Sequence, residues 1–137
     1  MTGLMAGKRG LIMGLANDKS LAWGIAKALQ GAGAELAISY QGEVMEKRVR
    51  PLAEQLGCDF LIDCDVSDMA ELDKTFETLA ARWPTIDFVV HAIGFSNKDE
   101  LTGRYVETSR DNFLMTMDIS VYSFTAVAKA AERLMTD

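Results

Sequence analysis

The residues from Gly14 to Gly24 have types and a spacing that could bind a phosphate group. A short apolar segment ends at Gly14, and Ser20 begins a helical pattern six residues later. Glycine permits a tight turn, and the first turn of a helix offers unpaired N–H groups and a positive dipole end. We predict that the Ser20 hydroxyl joins this phosphate cradle and that Gly24 lets the helix approach the sheet closely. The alternative is a purely structural connection, in which Ser20 caps the helix and Gly24 only packs.

The usual G-x-G-x-x-G fingerprint is missing, so the ends of the next apolar segments must supply further evidence. Tyr40-Gln41 follows the second segment, where dinucleotide-binding domains contact the adenosine ribose. An acidic residue there would bind the ribose hydroxyls, and a basic one would suit a 2′-phosphate. The neutral Gln41 therefore favours NADH over NADPH. Lys47 and Arg48 lie one turn further on and weaken this preference, unless they form a solvated helix face.

Asp65 follows the third apolar segment, within Cys64-Asp65-Val66. Its carboxylate could accept a hydrogen bond from an adenine amino group. The alternative is a turn residue before a helix that Ser67 or Asp68 caps. Asp63, Asp65 and Asp68 could also suggest a metal or phospho-acceptor pocket. Such a pocket would need carboxylates after the first strand, where Met13-Gly14 offers none, so we predict no metal site.

The fourth apolar segment ends in His91-Ala92-Ile93-Gly94. Gly94 would let the backbone approach a cofactor near its nicotinamide ribose. His91 is the only histidine, and no acidic or nucleophilic partner for it is identifiable from sequence. We therefore predict that the backbone satisfies the hydrogen bonds of this ring.

Strand-like segments alternate with helical patterns along the whole chain. This alternation predicts right-handed crossovers and a parallel, doubly wound α/β sheet in the order 3-2-1-4, with ligands at the carboxyl ends of the strands. The predicted strands lie near residues 8–14, 34–40, 59–64 and 86–93, and the predicted helices near residues 20–31, 43–56, 69–82 and 109–135.

Composition excludes several classes of function. The 137 residues carry a net charge of −6, which disfavours broad binding to nucleic acid. No apolar stretch is long enough to span a membrane, and no cleavable signal precedes the first strand. Cys58 and Cys64 have no metal-type spacing, so we predict free buried thiols in a reducing cytoplasm.

The last predicted helix is apolar around most of its circumference, which indicates burial on several sides. We expect one side to meet the sheet and another to meet a partner subunit. The fourth strand would otherwise be an exposed sheet edge. A fifth strand ought to begin where the sequence reaches Asp137, so we expect residues 1–137 to be the N-terminal half of a longer single domain.

These motifs together resemble the bacterial enoyl-acyl-carrier-protein reductases, a divergent branch of the short-chain dehydrogenase/reductase superfamily. The resemblance rests on G-x5-S-x-A-x-G, then Y-Q, C-D-V and H-A-I-G-F after successive strands, and D-I-S-x-Y-S-F at residues 118–124. Ordinary members of that superfamily would show T-G-x-x-x-G-x-G and N-A-G, which are missing here. The resemblance covers the whole chain and implies a Rossmann-like domain.

The resemblance also implies site residues, an NADH cofactor and a reaction. It assigns the pyrophosphate side of the cofactor to Gly14, Ala16, Ser20 and Leu21, and the adenosine side to Gln41, Asp65 and Val66. It assigns the nicotinamide side to Ala92, Ile93 and Gly94, and the border of an acyl pocket to Phe95 and Leu101. The reaction would be reduction of a trans-2-enoyl thioester on acyl carrier protein, by a cytoplasmic homotetramer. Position 92 is often serine in relatives, so any hydroxyl contact there is lost.

The family's catalytic Y-x6-K pair lies on a helix after a fifth strand, so the resemblance implies no catalytic residue in this chain. Two other pairs share the spacing, namely Tyr40 with Lys47 and Tyr122 with Lys129. The first closes the strand at the adenine end, and the second precedes the fifth strand, so we predict that neither is catalytic. The remaining alternatives are a ketoreductase-like member of the superfamily and a non-catalytic nucleotide-binding module.

Overall fold

The computed structural model describes residues 3–135, which form one four-stranded parallel sheet with helices on both faces. The strands are β1 (Arg9–Met13), β2 (Glu35–Tyr40), β3 (Leu61–Asp63) and β4 (Phe88–His91), and the helices are α1 (Leu21–Gly31), α2 (Gly42–Gln55), α3 (Met69–Arg82), α4 (Arg110–Met117) and α5 (Ser123–Glu132). The sheet order is β3-β2-β1-β4. The predicted class, parallel pairing and 3-2-1-4 order are therefore confirmed.

The central strand β1 determines where the core lies. Leu11, Ile12 and Met13 are fully buried, and their side chains alternate between the two faces of the sheet. Leu11 and Met13 pack with residues of α3 and α5 in one apolar cluster. Ile12 packs in the second cluster with residues of α1 and α2. A continuous apolar strand is what a parallel sheet covered on both faces requires.

Close approach of two strands requires glycine at the end of β1. Gly14 has a φ of 101°, and a Cβ built on it would lie 2.0 Å from the Ala92 carbonyl oxygen. Neither the backbone conformation nor the space admits a side chain there. The prediction that Gly24 lets α1 approach the sheet closely was wrong, because this residue is exposed and an added Cβ would meet no atom within 4 Å. Close packing at the end of β1 depends on Gly14 instead.

The predicted fourth helix is interrupted. Between α4 and α5 the backbone forms a π turn (Asp118–Tyr122), and two short 3₁₀ segments (Lys98–Glu100 and Tyr105–Glu107) precede α4. Hydrophobic periodicity does not report a single extra residue in a helical turn, so the sequence predicted one continuous helix. Ser109 caps α4 by accepting a hydrogen bond from Asn112 N at 3.1 Å.

The strand β4 lies at the edge of the sheet, as predicted, and all four of its residues are only half-buried. The chain returns to this edge after α5. Ile86 and Met135 form an isolated parallel bridge there, and the Ile86 N–H donates to the Leu134 carbonyl at 2.8 Å. The structure therefore brings the segment after α5 next to the beginning of β4.

Candidate functional site

The carboxyl ends of the four strands meet around a pocket of about 470 Å³ that we call the carboxyl-edge pocket. A crevice at this edge is where open α/β sheets bind ligands. Its lining is mostly apolar, and it comes from the carboxyl ends of the strands, the loops after them and the π turn. The lining residues are Gly14, Leu15, Ala16, Ser39, Tyr40, Gln41, Met45, Cys64, Val66, Ala92, Ile93, Gly94, Phe95 and Ile119.

The loop between β1 and α1 is organised by the Ser20 hydroxyl. The Oγ atom accepts hydrogen bonds from Ala16 N at 3.1 Å and Asn17 N at 3.0 Å, and it makes no capping bond to α1. Its own proton is therefore available to a ligand oxygen. Within residues 3–135 the N–H groups of Leu21 and Ala22 make no backbone hydrogen bond. These three donors at a helix N-terminus are suited to an anion.

The predicted residues of the adenosine side separate into two groups. Gln41 and Val66 line the pocket, whereas Asp65 is absent from its lining. Asp65 Oδ1 accepts hydrogen bonds from Ser67 N at 2.9 Å and Ser67 Oγ at 2.6 Å. The structure thus gives Asp65 the turn geometry that the sequence left open as an alternative. Asp68 is the cap of α3, as the sequence indicated, and accepts from Ala70 N at 3.0 Å.

The opposite wall of the pocket contains Ala92, Ile93, Gly94 and Phe95. Ser120 holds this segment, because its Oγ lies 3.0 Å from Phe95 N and 3.2 Å from Phe95 O. Leu101 is 67% exposed and lies outside the pocket lining, as do Ser20 and Leu21.

The structure adds Ile119 to this wall, and sequence reasoning missed it. The residue lies in the π turn, far along the chain from the strand ends. The run D-I-S-x-Y-S-F was the only signal that pointed to this region. Periodicity could not find the residue, because it assigned Ile119 to a general apolar helix face.

The structure gives His91 a side-chain partner that the sequence did not predict, because its Nε2 lies 2.7 Å from the hydroxyl of Ser123. The ring also packs edge-on against Phe124, with 5.6 Å between the ring centroids. Burial lowers the pKa of His91. The imidazole is therefore neutral at pH 7.

Neither Y-x6-K pair converges on the pocket. Tyr40 lines it, but Lys47 lines a separate cleft between α1 and α2. Burial, followed by the charge of Glu46, raises the pKa of Tyr40, so its phenol stays protonated. Tyr122 is 54% exposed, and neither it nor Lys129 lines the pocket.

The two cysteines are free, as predicted. Cys64 lines the pocket, and burial raises the pKa of both thiols, so neither is an activated nucleophile. Among residues 3–135, no group of three or more potential metal ligands comes together. In the same part of the chain, no helix is long and apolar enough to cross a membrane.

Comparison with known proteins gives a consistent result. The family model described as "Enoyl-(Acyl carrier protein) reductase" matches residues 14–137. Enoyl-[acyl-carrier-protein] reductase [NADH] 1 of Rhizobium meliloti (strain 1021) is 63% identical over 136 residues, which cover 99% of this chain and 50% of that protein. The corresponding reductase FabI of Rickettsia prowazekii (strain Madrid E) is 47% identical, over 98% of this chain and 51% of that protein. The chain spans about half the length of these relatives.

Solved structures show the same similarity. The reductase of Anaplasma phagocytophilum, solved in complex with NAD, superposes with a TM-score of 0.95 at 57% identity and covers 99% of this chain and 52% of that one. The Bacillus cereus reductase, solved with NADP+ and an indole naphthyridinone, gives a TM-score of 0.93 at 46% identity, over 98% of this chain and 53% of that one.

Proposed function

Since this chain belongs to the enoyl-(acyl carrier protein) reductase family, we propose that it forms the cofactor-binding half of an NADH-dependent enoyl-thioester reductase. The observation that carries this proposal is the carboxyl-edge pocket, which collects residues from all four strand ends. The substrate is a trans-2-enoyl chain on acyl carrier protein, and the reaction belongs to type II fatty-acid synthesis.

The loop after β1 fits the pyrophosphate of a dinucleotide. The hydroxyl of Ser20 and the amides of Leu21 and Ala22 supply donors, and Gly14 and Ala16 leave the backbone accessible. Ser20 acts by shaping the loop as well, because two amides already bond to it. The net charge of −6 makes local donors of this kind the main attraction for an anionic ligand.

The remaining lining residues fit the other parts of the cofactor. We assign Gln41 and Val66 to the adenosine, with Asp65 contributing through the carboxylate oxygen that the Ser67 bonds leave free. Ala92, Ile93 and Gly94 offer a flat, apolar surface to the nicotinamide ring. When bound, NADH supplies the hydride that reduces the enoyl double bond.

The acyl substrate borders the same end of the pocket. Phe95 is 54% exposed and Leu101 is 67% exposed, so both can contact an apolar chain without first breaking core contacts. The tyrosine and lysine that stabilise the enolate in this family are assigned to no residue of this chain. We place the assembly in the cytoplasm as a homotetramer, with acyl carrier protein as its partner.

Two measurements test this proposal. Titration of the chain with NADH, followed by nicotinamide fluorescence, should give saturable binding that is stronger than binding of NADPH. The full-length protein should then consume NADH with a crotonyl thioester and not with a ketoacyl thioester. Absence of saturable NADH binding would contradict the cofactor assignment, and preference for the ketoacyl substrate would identify a ketoreductase. Robust turnover by the 137 residues alone would contradict the assignment of the catalytic pair elsewhere.

A further inference from the structure

Two neighbouring residues of the π turn act on the pocket wall that follows β4. Ile119 lines the pocket directly, and Ser120 binds both backbone polar groups of Phe95. A π turn is less stable than a regular α-helical turn and commonly occurs at functional sites. Specific contacts are therefore needed to hold it in register with the segment after β4.

The contact that holds the end of the π turn runs through His91 and Ser123. Ser123 is 1% exposed, and its Oγ lies 2.5 Å from the Ile119 carbonyl oxygen and 2.7 Å from His91 Nε2. Two oxygen atoms at the first distance require a proton between them. The serine hydroxyl has one proton, and it is donated to Ile119.

This assignment determines the role of the histidine. Because Ser123 has already used its proton, its oxygen must accept a hydrogen bond from His91 Nε2–H. Two successive hydrogen bonds then connect the end of β4 to the backbone of Ile119. The edge-on contact with Phe124 restrains the imidazole ring in the same orientation.

We propose that His91 is a positioning residue which, through Ser123, fixes the π turn so that Ile119 lines the pocket opposite β2 and Ser120 holds the segment after β4. This inference rests on the proposed function, since it assumes that NADH occupies the carboxyl-edge pocket. His91 itself is absent from the pocket lining, so its effect on the cofactor is transmitted by the two hydrogen bonds.

The tautomer of His91 is directly measurable. His91 is the only histidine in the sequence, so the imidazole ¹⁵N signals of the labelled chain belong to one residue. At neutral pH we expect a protonated Nε2 and an unprotonated Nδ1. A Ser123→Ala variant should weaken this preference, because the acceptor is removed. The opposite tautomer in the wild type would overturn the proposal.

Substitutions of His91 by side chains of different length distinguish a positioning role from a packing role. In His91→Gln the amide nitrogen can reach the position of Nε2 and donate to Ser123, whereas in His91→Asn it is too short to do so. We expect His91→Asn and Ser123→Ala to raise the dissociation constant for NADH by roughly fivefold to tenfold, the value of about one hydrogen bond. His91→Gln should restore binding to within about twofold of the wild type.

Thr125→Ala is the matched control, because Thr125 is exposed in α5 and outside the network. Thermal unfolding confirms that each variant is folded before titration. If the wild type and all variants bind NADH equally, the positioning role is refuted while the proposed function stands. If His91→Gln is as impaired as His91→Asn, the residue acts through ring packing and the proposal is also refuted. If the wild type shows no saturable binding, both proposals fail.

Discussion

At the scale of single residues, the strongest constraint is at Gly14. Substitution by alanine would force a side chain into the left-handed region and place its Cβ 2.0 Å from the Ala92 oxygen. We expect Gly14→Ala to lower the free energy of unfolding by at least about 2 kcal/mol, from backbone strain and overpacking together. Urea denaturation measures this change, and NADH binding should decrease in parallel.

Gly24→Ala is the control for this substitution. Gly24 lies in α1 with a negative φ and open space around it. Alanine is a better helix former, so this variant should gain about 0.5–1 kcal/mol of stability. If both glycine variants are destabilised equally, the steric argument for Gly14 is incorrect.

The stability of the fold should also depend on the protonation of His91. Burial makes the pKa of His91 lower in the folded state than in the unfolded chain, where it is about 6.5. The unfolded state therefore binds more protons between these two values, and the free energy of unfolding rises with pH there. The stability that the neutral His91 contributes is fully present above about pH 6.5, and it is lost as the pH falls toward the folded-state pKa.

Urea titrations between about pH 5 and 7.5 measure this dependence. In His91→Gln the contribution should disappear, because glutamine does not titrate. An unchanged slope in that variant would assign the pH dependence to other groups. The contribution decreases toward lower pH, because protonation of a buried imidazole is unfavourable in the folded state.

The sequence predicted which residues lie near the pocket better than it predicted the hydrogen bonds that they make. Gly14, Gln41, Val66 and the segment after β4 follow strand ends, and topology alone brings strand ends together. The Ser20 hydroxyl and Asp65 were assigned to ligands, yet both also bond to neighbouring loop atoms. Such local bonds depend on side-chain torsions, which motif spacing does not determine.

At the scale of elements, α4 anchors the segment that carries the proposed acyl contacts. Asn112 is 7% exposed, accepts a hydrogen bond from Asn97 N at 2.9 Å and donates one to Ser96 Oγ at 3.1 Å. At the other end of the segment, the Glu100 carboxylate accepts from Ser109 N at 2.7 Å. Asn112 and Glu100 thus hold the loop on which Phe95 and Leu101 are exposed.

Loss of the Asn112 side chain should loosen this loop. We expect Asn112→Ala to cost about 1–3 kcal/mol of stability, because the part-buried hydrogen bonds of the Asn112 side chain to Asn97 N and Ser96 Oγ are lost. Hydrogen exchange at Asn97 should accelerate more than exchange in the sheet. Asp111→Ala, an exposed neighbour, should change stability by less than about 0.5 kcal/mol. Equal exchange at Asn97 in both variants would argue against the anchoring role.

The element boundaries show where sequence patterns stop being informative. The prediction for α3, residues 69–82, agrees with Met69–Arg82, because a cap and a clear periodicity mark it. The helix predicted over residues 109–135 lies in the right part of the chain, but the structure divides it into α4, the π turn and α5. The π turn contacts Phe95 through Ser120, and Ser123 just after it contacts His91. These contacts are tertiary and leave no periodic signal in the sequence.

At the scale of the whole molecule, α4, the π turn and α5 expose one apolar face. Its members are Phe113, Leu114, Met117, Val121, Tyr122 and Phe124, each at least 41% exposed. An apolar patch on consecutive helical turns is typical of a surface that another protein covers. The sequence predicted such a face from the all-round apolar character of this region.

We therefore expect the chain to self-associate through this face. The double variant Leu114→Lys with Val121→Lys should decrease the weight-average mass in light scattering at micromolar concentration, because it introduces two charges into the patch. Leu4→Lys changes a residue that is 93% exposed and remote from the patch in sequence, so it should have no effect. A monomeric wild type, or a decrease with Leu4→Lys alone, would contradict this expectation.

The composition of the pocket has an evolutionary consequence. Its lining includes Gly14, Ala16, Ala92 and Gly94, and Gly14 admits no larger residue. Point mutations replace side chains and leave peptide groups in place. An inhibitor whose recognition relied on the peptide groups around Gly14 would leave few single-codon routes to resistance there. Escape mutations should instead concentrate at Gly94, where an added Cβ meets only Ser120 Oγ at 3.9 Å, and at the exposed positions Phe95 and Leu101.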